Sequence, residues 1–169
     1  MKKILIVLTV VICTMGFGES HAQEMKKEMS LFGVGLGLVP GFGLNVSYDY
    51  GVVNEWGPGI FTIGGYAGFS NWGTTYSTKP HRVDYRVNAF AFAPRATYRY
   101  AVNKLFEVYG AAMIGAMIEF HSEYYDNKGK PFIATTAGCR YSFGSHIAVF
   151  AEIGYHEMSF LNGGLCFSF

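Results

Sequence analysis

The chain has 169 residues and a formal net charge of +1, and only 15% of its residues are charged. The surface of an ordinary soluble protein needs more, since about a quarter of its residues are charged. The sequence is also rich in glycine and aromatic residues, with 22 Gly, 15 Phe and 12 Tyr. The near-neutral charge points to no acidic partner, and no basic cluster indicates nucleic-acid binding. This composition argues against a soluble enzyme and suits a barrel whose outer wall meets lipid.

The beginning of the chain has the pattern of an export signal. Lys2 and Lys3 precede an apolar stretch over residues 4–17, and Ser20 and Ala22 offer small residues at a cleavage site. The apolar stretch is shorter than the roughly 20 residues of a spanning helix, although an uncleaved anchor is the alternative. We therefore predict a cleaved signal peptide over residues 1–22, a short segment over 23–29 that lies in the periplasm or plugs the barrel, and one transmembrane domain over 30–169.

From residue 30 onward, apolar residues recur with period two, which indicates β-strands. The clearest case is Leu105 to Phe120, where one face is wholly apolar and the other holds Glu107 and Glu119. The same test predicts eight strands, with bounds uncertain by about two to four residues: 30–39, 42–50, 58–70, 84–100, 105–120, 132–143, 147–156 and 160–169.

The fourth predicted strand changes phase along its length. Asp84 and Arg86 have even numbers, whereas Arg95 and Arg99 have odd ones. A β-bulge inserts one residue and tolerates proline, so we predict a bulge between residues 89 and 94.

The connections between the predicted strands are unequal at the two ends. The longest and most polar ones, 71–83 and 121–131, fall at one end, and the compact turns 101–104 and 144–146 fall at the other. Outer-membrane barrels have short periplasmic turns and longer external loops. We therefore predict an all-β fold, an eight-stranded antiparallel up-and-down transmembrane β-barrel with both termini at the periplasmic end.

Alternation alone does not say whether the apolar faces meet lipid or form the core of a soluble barrel. The apolar faces carry aromatic residues at their ends, such as Phe106 with Phe120 and Tyr48 with Tyr50, where membrane proteins place interface girdles. The opposite faces hold a few charges of both signs. These features favour lipid outside and a polar lumen.

Six charged residues are predicted to meet in that lumen: Asp49, Arg95, Arg99, Glu107, Arg140 and Glu152. The interior of an eight-stranded barrel is just wide enough to be filled by side chains. Buried charges need partners that offset their desolvation. We expect a filled, paired plug, and a gated ion path or a ligand-binding ring is the alternative.

The last predicted strand places Leu165, Phe167 and Phe169 on one face and ends on an aromatic residue. It resembles the terminal-strand signature of bacterial outer-membrane proteins. The resemblance implies that these residues are an assembly signal, read by the barrel-assembly machinery.

Nearly the whole mature chain resembles the small outer-membrane β-barrel (porin-like) proteins of Bacteroidetes. The similarity lies in a first strand with alternating glycines, Phe32 to Gly37, and in the segment Leu105 to Ala111. The OmpA transmembrane domain has the same layout, but no peptidoglycan-binding domain follows Phe169, so cell-wall tethering is not expected. The resemblance implies a Gram-negative outer membrane, with membrane lipid as the surrounding partner, and it implies little about activity.

The sequence gives less support to catalysis, metal binding or a disulfide. His121 and Ser122 would face opposite sides of a strand, and the sequence has no Gly-x-Ser-x-Gly elbow. The histidines lack ligand spacing, so we predict no metal and no cofactor. Cys139 and Cys166 belong to strands six and eight with opposite facings, which predicts two free thiols.

The predicted external loops mix polar and aromatic residues, which suits adaptable recognition of an external ligand of unknown identity. The residues concerned are Trp72, Tyr76 and His81 in one loop and Tyr124 and Tyr125 in the other. Ordinary solvated loop tips near an aromatic belt have the same composition. Three functions remain: a non-enzymatic barrel with a structural or loop-binding role, a narrow porin-like channel, and a lipid-modifying hydrolase, for which His121 and His156 are the candidate bases.

Overall fold

The computed structural model describes residues 28–53, 57–78, 81–121, 127–155 and 159–169. In these ranges the chain forms eight strands: β1 (Ser30–Pro40), β2 (Phe42–Val53), β3 (Ile60–Thr78), β4 (His81–Ala101), β5 (Phe106–His121), β6 (Lys128–Ser142), β7 (Ile147–Tyr155) and β8 (Ser159–Ser168). Each strand pairs antiparallel with the next one in the chain, and β8 pairs with β1 to close the barrel. The predicted eight-stranded antiparallel up-and-down barrel is confirmed. The described ranges contain no helix of the length and apolarity that crossing a membrane requires.

Side chains alternate between the lumen and the outer wall, as the period of two predicts. On β5, Glu107 and Tyr109 are 5% and 7% exposed, whereas Ile114 is 64% exposed. The same strand carries Phe106 and Phe120 on its outer face, near its two ends. The charged face therefore lines the lumen, and the apolar face forms the outer wall.

The predicted bulge in β4 is wrong. Along the described pairs, the register between β3 and β4 runs without a shift from Ile60↔Arg99 to Thr78↔His81. The odd-numbered residues from Val87 to Arg99 are all buried. The polarity of the outer face changes because the strand continues beyond the apolar wall, where Arg86 is exposed, and not because the register changes. The irregularity that the structure does contain lies in β2, between Gly51 and Val53.

The predicted loop 71–83 is also wrong, because its described residues, 71–78 and 81–83, continue the strands on either side. β2 stops pairing with β3 at Phe42↔Asn71, and β5 stops pairing with β4 at Val87↔His121. Beyond those pairs, Gly73 to Thr78 of β3 and His81 to Arg86 of β4 pair with each other. We call this two-stranded extension the ribbon. The other predicted long loop is shortened, since β6 begins at Lys128.

The two ends of the barrel differ in these connections. Ser30 and Phe169 exchange both backbone hydrogen bonds, of 2.9 and 3.1 Å, so the two ends of the described chain lie together. We call this the terminal end, and the opposite one the ribbon end. The expected asymmetry takes the form of long strands at the ribbon end, where long loops were predicted.

Residues 1–27, which include the predicted signal peptide, lie outside the described residues. Of the predicted segment 23–29, only Glu28 and Met29 are described. Met29 is 6% exposed and packs in an apolar cluster with Leu31, Ile60, Ala148 and Cys166. This floor cluster fills the lumen at the terminal end.

Candidate functional site

The six predicted lumen charges form one continuous chain of alternating sign. Arg95 contacts Glu152 at 2.5 Å and Asp49 at 3.6 Å. Asp49 contacts Arg99 at 2.5 Å, and Arg99 contacts Glu107 at 2.8 Å. Glu107 then accepts from Arg140 at 2.7 Å, which ends the chain. Three guanidinium groups and three carboxylates therefore meet, and the charges balance within the cluster.

This charge network joins neighbouring strands through Glu107 and strands that are not neighbours through Asp49 and Glu152. Its members come from β2, β4, β5, β6 and β7, and each is between 3% and 5% exposed. Ionised groups in such a position are stable only when each has a close partner of opposite sign. The alternating order meets that requirement for every member.

Two residues of the network were missed by the sequence analysis. The Tyr109 hydroxyl donates to Glu152 at 2.9 Å, and its ring lies 4.5 Å from the guanidinium carbon of Arg99. Thr97 accepts from Arg95 at 3.2 Å and donates to Asp49 at 3.4 Å. Their parity could have identified them, since each lies two positions from a predicted lumen charge on the same strand.

The lumen is filled on both sides of the network. The floor cluster lies toward the terminal end. Toward the ribbon end lies an apolar cluster that includes Met117 and Phe132, with the rings of Tyr66 and Phe132 stacked at 5.9 Å. A cavity of about 10 Å³ remains beside the network, and such a space holds roughly one water molecule.

The glycines of β1 make room for side chains that reach across from other strands. A Cβ on Gly35 would lie 2.8 Å from the ring of Phe150 and 2.7 Å from Oδ1 of Asn45. Asn45 in turn donates to Asn162 at 3.1 Å, and Ser159 donates to the same oxygen at 2.7 Å. The alternating glycines are therefore a steric requirement of this side of the lumen.

Near the ribbon end, one further ion pair joins β5 and β6. Lys130 contacts Glu119 at 2.7 Å, and its side chain is 42% exposed. This pair is separate from the network and partly open to solvent.

The five residues predicted to recognise an external ligand are placed as follows. Trp72 lies on β3, is half-buried and packs against the apolar cluster that contains Met117 and Phe132. Tyr76 and His81 lie on the two strands of the ribbon. These three are strand residues, and the loop prediction failed because β3 and β4 continue past their neighbours. Tyr124 and Tyr125 lie outside the described residues.

Of the residues considered for catalysis, Ser122 and His156 lie outside the described residues. Ser159, close to His156 in sequence, is 3% exposed with its hydroxyl bonded to Asn162. Cys139 is half-buried on the outer face and Cys166 is buried in the lumen, and both are free cysteines. Among the described residues, no three His, Cys, Asp or Glu side chains are grouped to hold a metal ion.

The predicted assembly residues lie on the outer face of β8. Leu165 and Phe169 are 47% and 68% exposed, and Phe167 is half-buried. Phe167 pairs with Phe32 of β1 and Ile147 of β7. These three side chains therefore belong to the outer wall near the terminal end.

No known family pattern and no curated protein sequence matches this chain. It is similar to a de novo designed transmembrane β-barrel, with a TM-score of 0.57 and 17% identity over 87% of this chain and 100% of that one. The N-terminal β-barrel domain of Pseudomonas aeruginosa OprF gives a TM-score of 0.59 and 12% identity over 86% of this chain and 100% of that one. Ail, the attachment invasion locus protein of Yersinia pestis, solved with the heparin analogue sucrose octasulfate, gives a TM-score of 0.48 and 15% identity over 85% of this chain and 100% of that one.

Identities this low show the fold alone. The shared fold is the closed eight-stranded antiparallel barrel of transmembrane proteins. The natural proteins among these neighbours are outer-membrane barrels, and none of the three carries the name of an enzyme.

Proposed function

We propose that this protein is a closed, non-conducting outer-membrane barrel that acts at its ribbon end, as an external binding surface or as a structural element of the membrane. The observation that carries the proposal is the filled lumen. The charge network pairs all six of its members, and the space left beside it is about 10 Å³. A permeating ion needs a continuous path in which it stays solvated, and the packing of the described lumen residues, with apolar clusters on both sides of the network, supports a barrel without such a path.

The location and orientation rest on separate observations. The outer wall is apolar around the barrel, and the similar folds are transmembrane barrels. At the ribbon end β3 and β4 extend beyond their neighbours, whereas the strands at the terminal end are joined without such an extension, as at 102–105 and 143–146. In such barrels the longer segments between the wall strands are external and the short turns are periplasmic. The ribbon end then faces the outside of the cell.

The closed lumen is tested by reconstitution in planar lipid bilayers. We expect no discrete conductance steps from the wild-type protein. The double variant Arg95→Gly with Glu152→Gly removes one ion pair and two large side chains, so it should conduct. Ile114→Ala, on the outer wall, is the matched control and should remain silent. Reproducible wild-type steps of the size given by the double variant would show a channel and end the proposal.

The absence of enzymatic activity is a separate part of the proposal. Lipid extracts from cells with and without the protein should have the same composition, and His121→Ala and His156→Ala should change nothing. A lipid product that requires either histidine would replace the binding role with a hydrolase.

A further inference from the structure

On the side where β2 ends, the ribbon has a strand edge that pairs with none of the described residues, and we call it the free edge. Beyond Asn71, no described residue pairs with β3 other than those of β4. Next to Trp72, this edge is covered by the turn at Gly41, which packs so closely that a Cβ added to Gly41 would lie 2.8 Å from the Cβ of Trp72. The position beyond β2, next to Gly73 to Thr78, is therefore not filled by any described strand.

The direction of the backbone groups along this edge follows from the hydrogen-bond pattern. The N–H of Val102 donates to the carbonyl of Phe106, so even-numbered residues of β4 bond toward β5. In an antiparallel pair, residues bond alternately to one side and the other. Odd-numbered residues of β4 therefore bond to their even-numbered partners on β3. Gly73, Thr75 and Ser77 point their N–H and C=O groups away from β4.

The two edges of the ribbon differ in how they are protected. Natural sheets discourage added strands with charged residues, proline or bulges on exposed edges. On β4 the residues whose backbone groups point outward are Arg82, Asp84 and Arg86, all of them charged. The corresponding residues on β3 are glycine, threonine and serine, and the stretch from Trp72 to Thr78 has no charge and no proline.

We propose that the free edge of β3 at Gly73, Thr75 and Ser77 binds an extended segment of an external protein, which adds to the sheet as an antiparallel strand in the position beyond β2. Such strand addition takes its affinity from main-chain hydrogen bonds. The inference rests on the proposed function in one respect, since it requires the ribbon end to face outward.

A second copy of this barrel suits the same position poorly, whichever of its ribbon strands would pair. Two copies in one membrane have the same orientation, so their β3 strands run in the same direction and could pair only in parallel, which is slightly less stable per residue than antiparallel pairing. The β4 strand of a second copy does run antiparallel to β3, but its outward positions are the charged residues Arg82, Asp84 and Arg86, which discourage an added strand. A chain that is not held in that membrane can approach in either direction. The edge therefore suits an extended peptide of another protein.

The test uses the full protein folded in lipid nanodiscs and an eight-residue acetylated peptide of alternating Thr and Val as the strand probe. Amide hydrogen exchange is followed by NMR. Binding should slow exchange at Gly73, Thr75 and Ser77 by at least about tenfold, while the amides of Trp72, Thr74 and Tyr76, already bonded to β4, should not change. A probe N-methylated at alternate residues should bind at least about tenfold more weakly, because each lost hydrogen bond leaves an acceptor unpaired.

A proline on each edge provides matched variants. Thr75→Pro removes an outward N–H without removing a β3–β4 bond, so probe binding should weaken by about tenfold or more. Asp84→Pro makes the same change on the β4 edge and should leave probe binding as in the wild type. Equal weakening by both, or no binding at millimolar peptide, would overturn the inference.

The oligomeric mass of the barrel tests the remaining case, in which the edge binds a second copy of this chain. If the barrel forms a dimer without peptide and Thr75→Pro dissolves it, the edge binds a second copy and the inference is wrong. Bilayer recordings of wild type and Thr75→Pro should both stay silent. A failure of peptide binding then leaves the closed barrel standing, whereas conductance would overturn the proposed function itself.

Discussion

Glu107 accepts from two buried guanidinium groups, those of Arg99 and Arg140, at 2.8 and 2.7 Å. Glu119 lies on the same strand and the same face, but its partner Lys130 is 42% exposed. The two glutamates are similarly buried, at 5% and 8% exposed, and differ chiefly in the exposure of their positively charged partners. This makes them a matched pair for measuring what the network contributes.

Glu107→Gln should lower the free energy of unfolding by about 3–5 kcal/mol, because it removes the carboxylate that Arg140 contacts and leaves Arg99 with Asp49 alone. Glu119→Gln should cost less than about 1 kcal/mol, since water screens the exposed ammonium group. Urea titration in lipid vesicles measures both. Equal losses would mean that burial of the network has no energetic consequence.

At this scale, parity identified which residues enter the lumen, because a strand side chain faces one side or the other. It could not identify the pairs. Asp49 and Arg95 lie on β2 and β4, which are separated by β3. Their contact depends on how far each strand is displaced against the next around the whole barrel, which no single strand's sequence contains.

At the scale of elements, the seam between β1 and β8 is built from glycine. Gly35 lies opposite Gly164, and Leu36 lies opposite Gly163. A Cβ on Gly164 would overlap the carbonyl oxygen of Val34, whereas a Cβ on Gly163 would come no closer than 3.5 Å to its nearest neighbour. The first and last strands thus approach closely on the lumen side alone.

Gly164→Ala should destabilise the barrel by about 1–3 kcal/mol, since the obstructing atoms are backbone and cannot rotate away. Gly163→Ala, one residue earlier on the opposite face, should have little effect. Folded barrels migrate differently from boiled ones on gels, so the folded fraction after urea treatment can be read from band position. Matching behaviour of the two variants would show that the seam is not tightly packed.

The elements that sequence reasoning misplaced are those outside the apolar wall. Within the wall, the lumen residues Glu107 and Glu119 of β5 lie on the face opposite Val108 and Ile118, and the period of two is plain. In the ribbon, Gly73 to Thr78 are mostly small and polar on both faces of the strand, so no period of two is visible and they were predicted as a loop. The polarity of Asp84 and Arg86 was interpreted as a shift of register for the same reason.

At the scale of the molecule, the outer wall sets the environment in which the barrel is stable. Ile114 is 64% exposed and lies midway along β5, whereas Val102 is 53% exposed in the connection after β4. The same substitution at these two sites therefore compares the middle of the wall with its edge.

Ile114→Lys should cost about 2–4 kcal/mol in lipid vesicles, because a lysine at the bilayer midplane loses its hydration. Val102→Lys should cost at most about 1 kcal/mol near the interface. Tryptophan fluorescence during urea unfolding measures both. A cost at Val102 as large as that at Ile114 would contradict the placement of the membrane around the middle of the wall.

The alternating charge network also determines how the barrel responds to an electric field. A voltage across a membrane does work on a charge that is free to move through it, about 2.3 kcal/mol per elementary charge per 100 mV. Here three positive and three negative groups are fixed to one another, from Glu152 through Asp49 to Arg140. Opposing forces on them cancel within the cluster. An applied voltage therefore does not displace the paired charges in the lumen. We expect a voltage ramp across a bilayer that contains the protein to leave the membrane resistance unchanged.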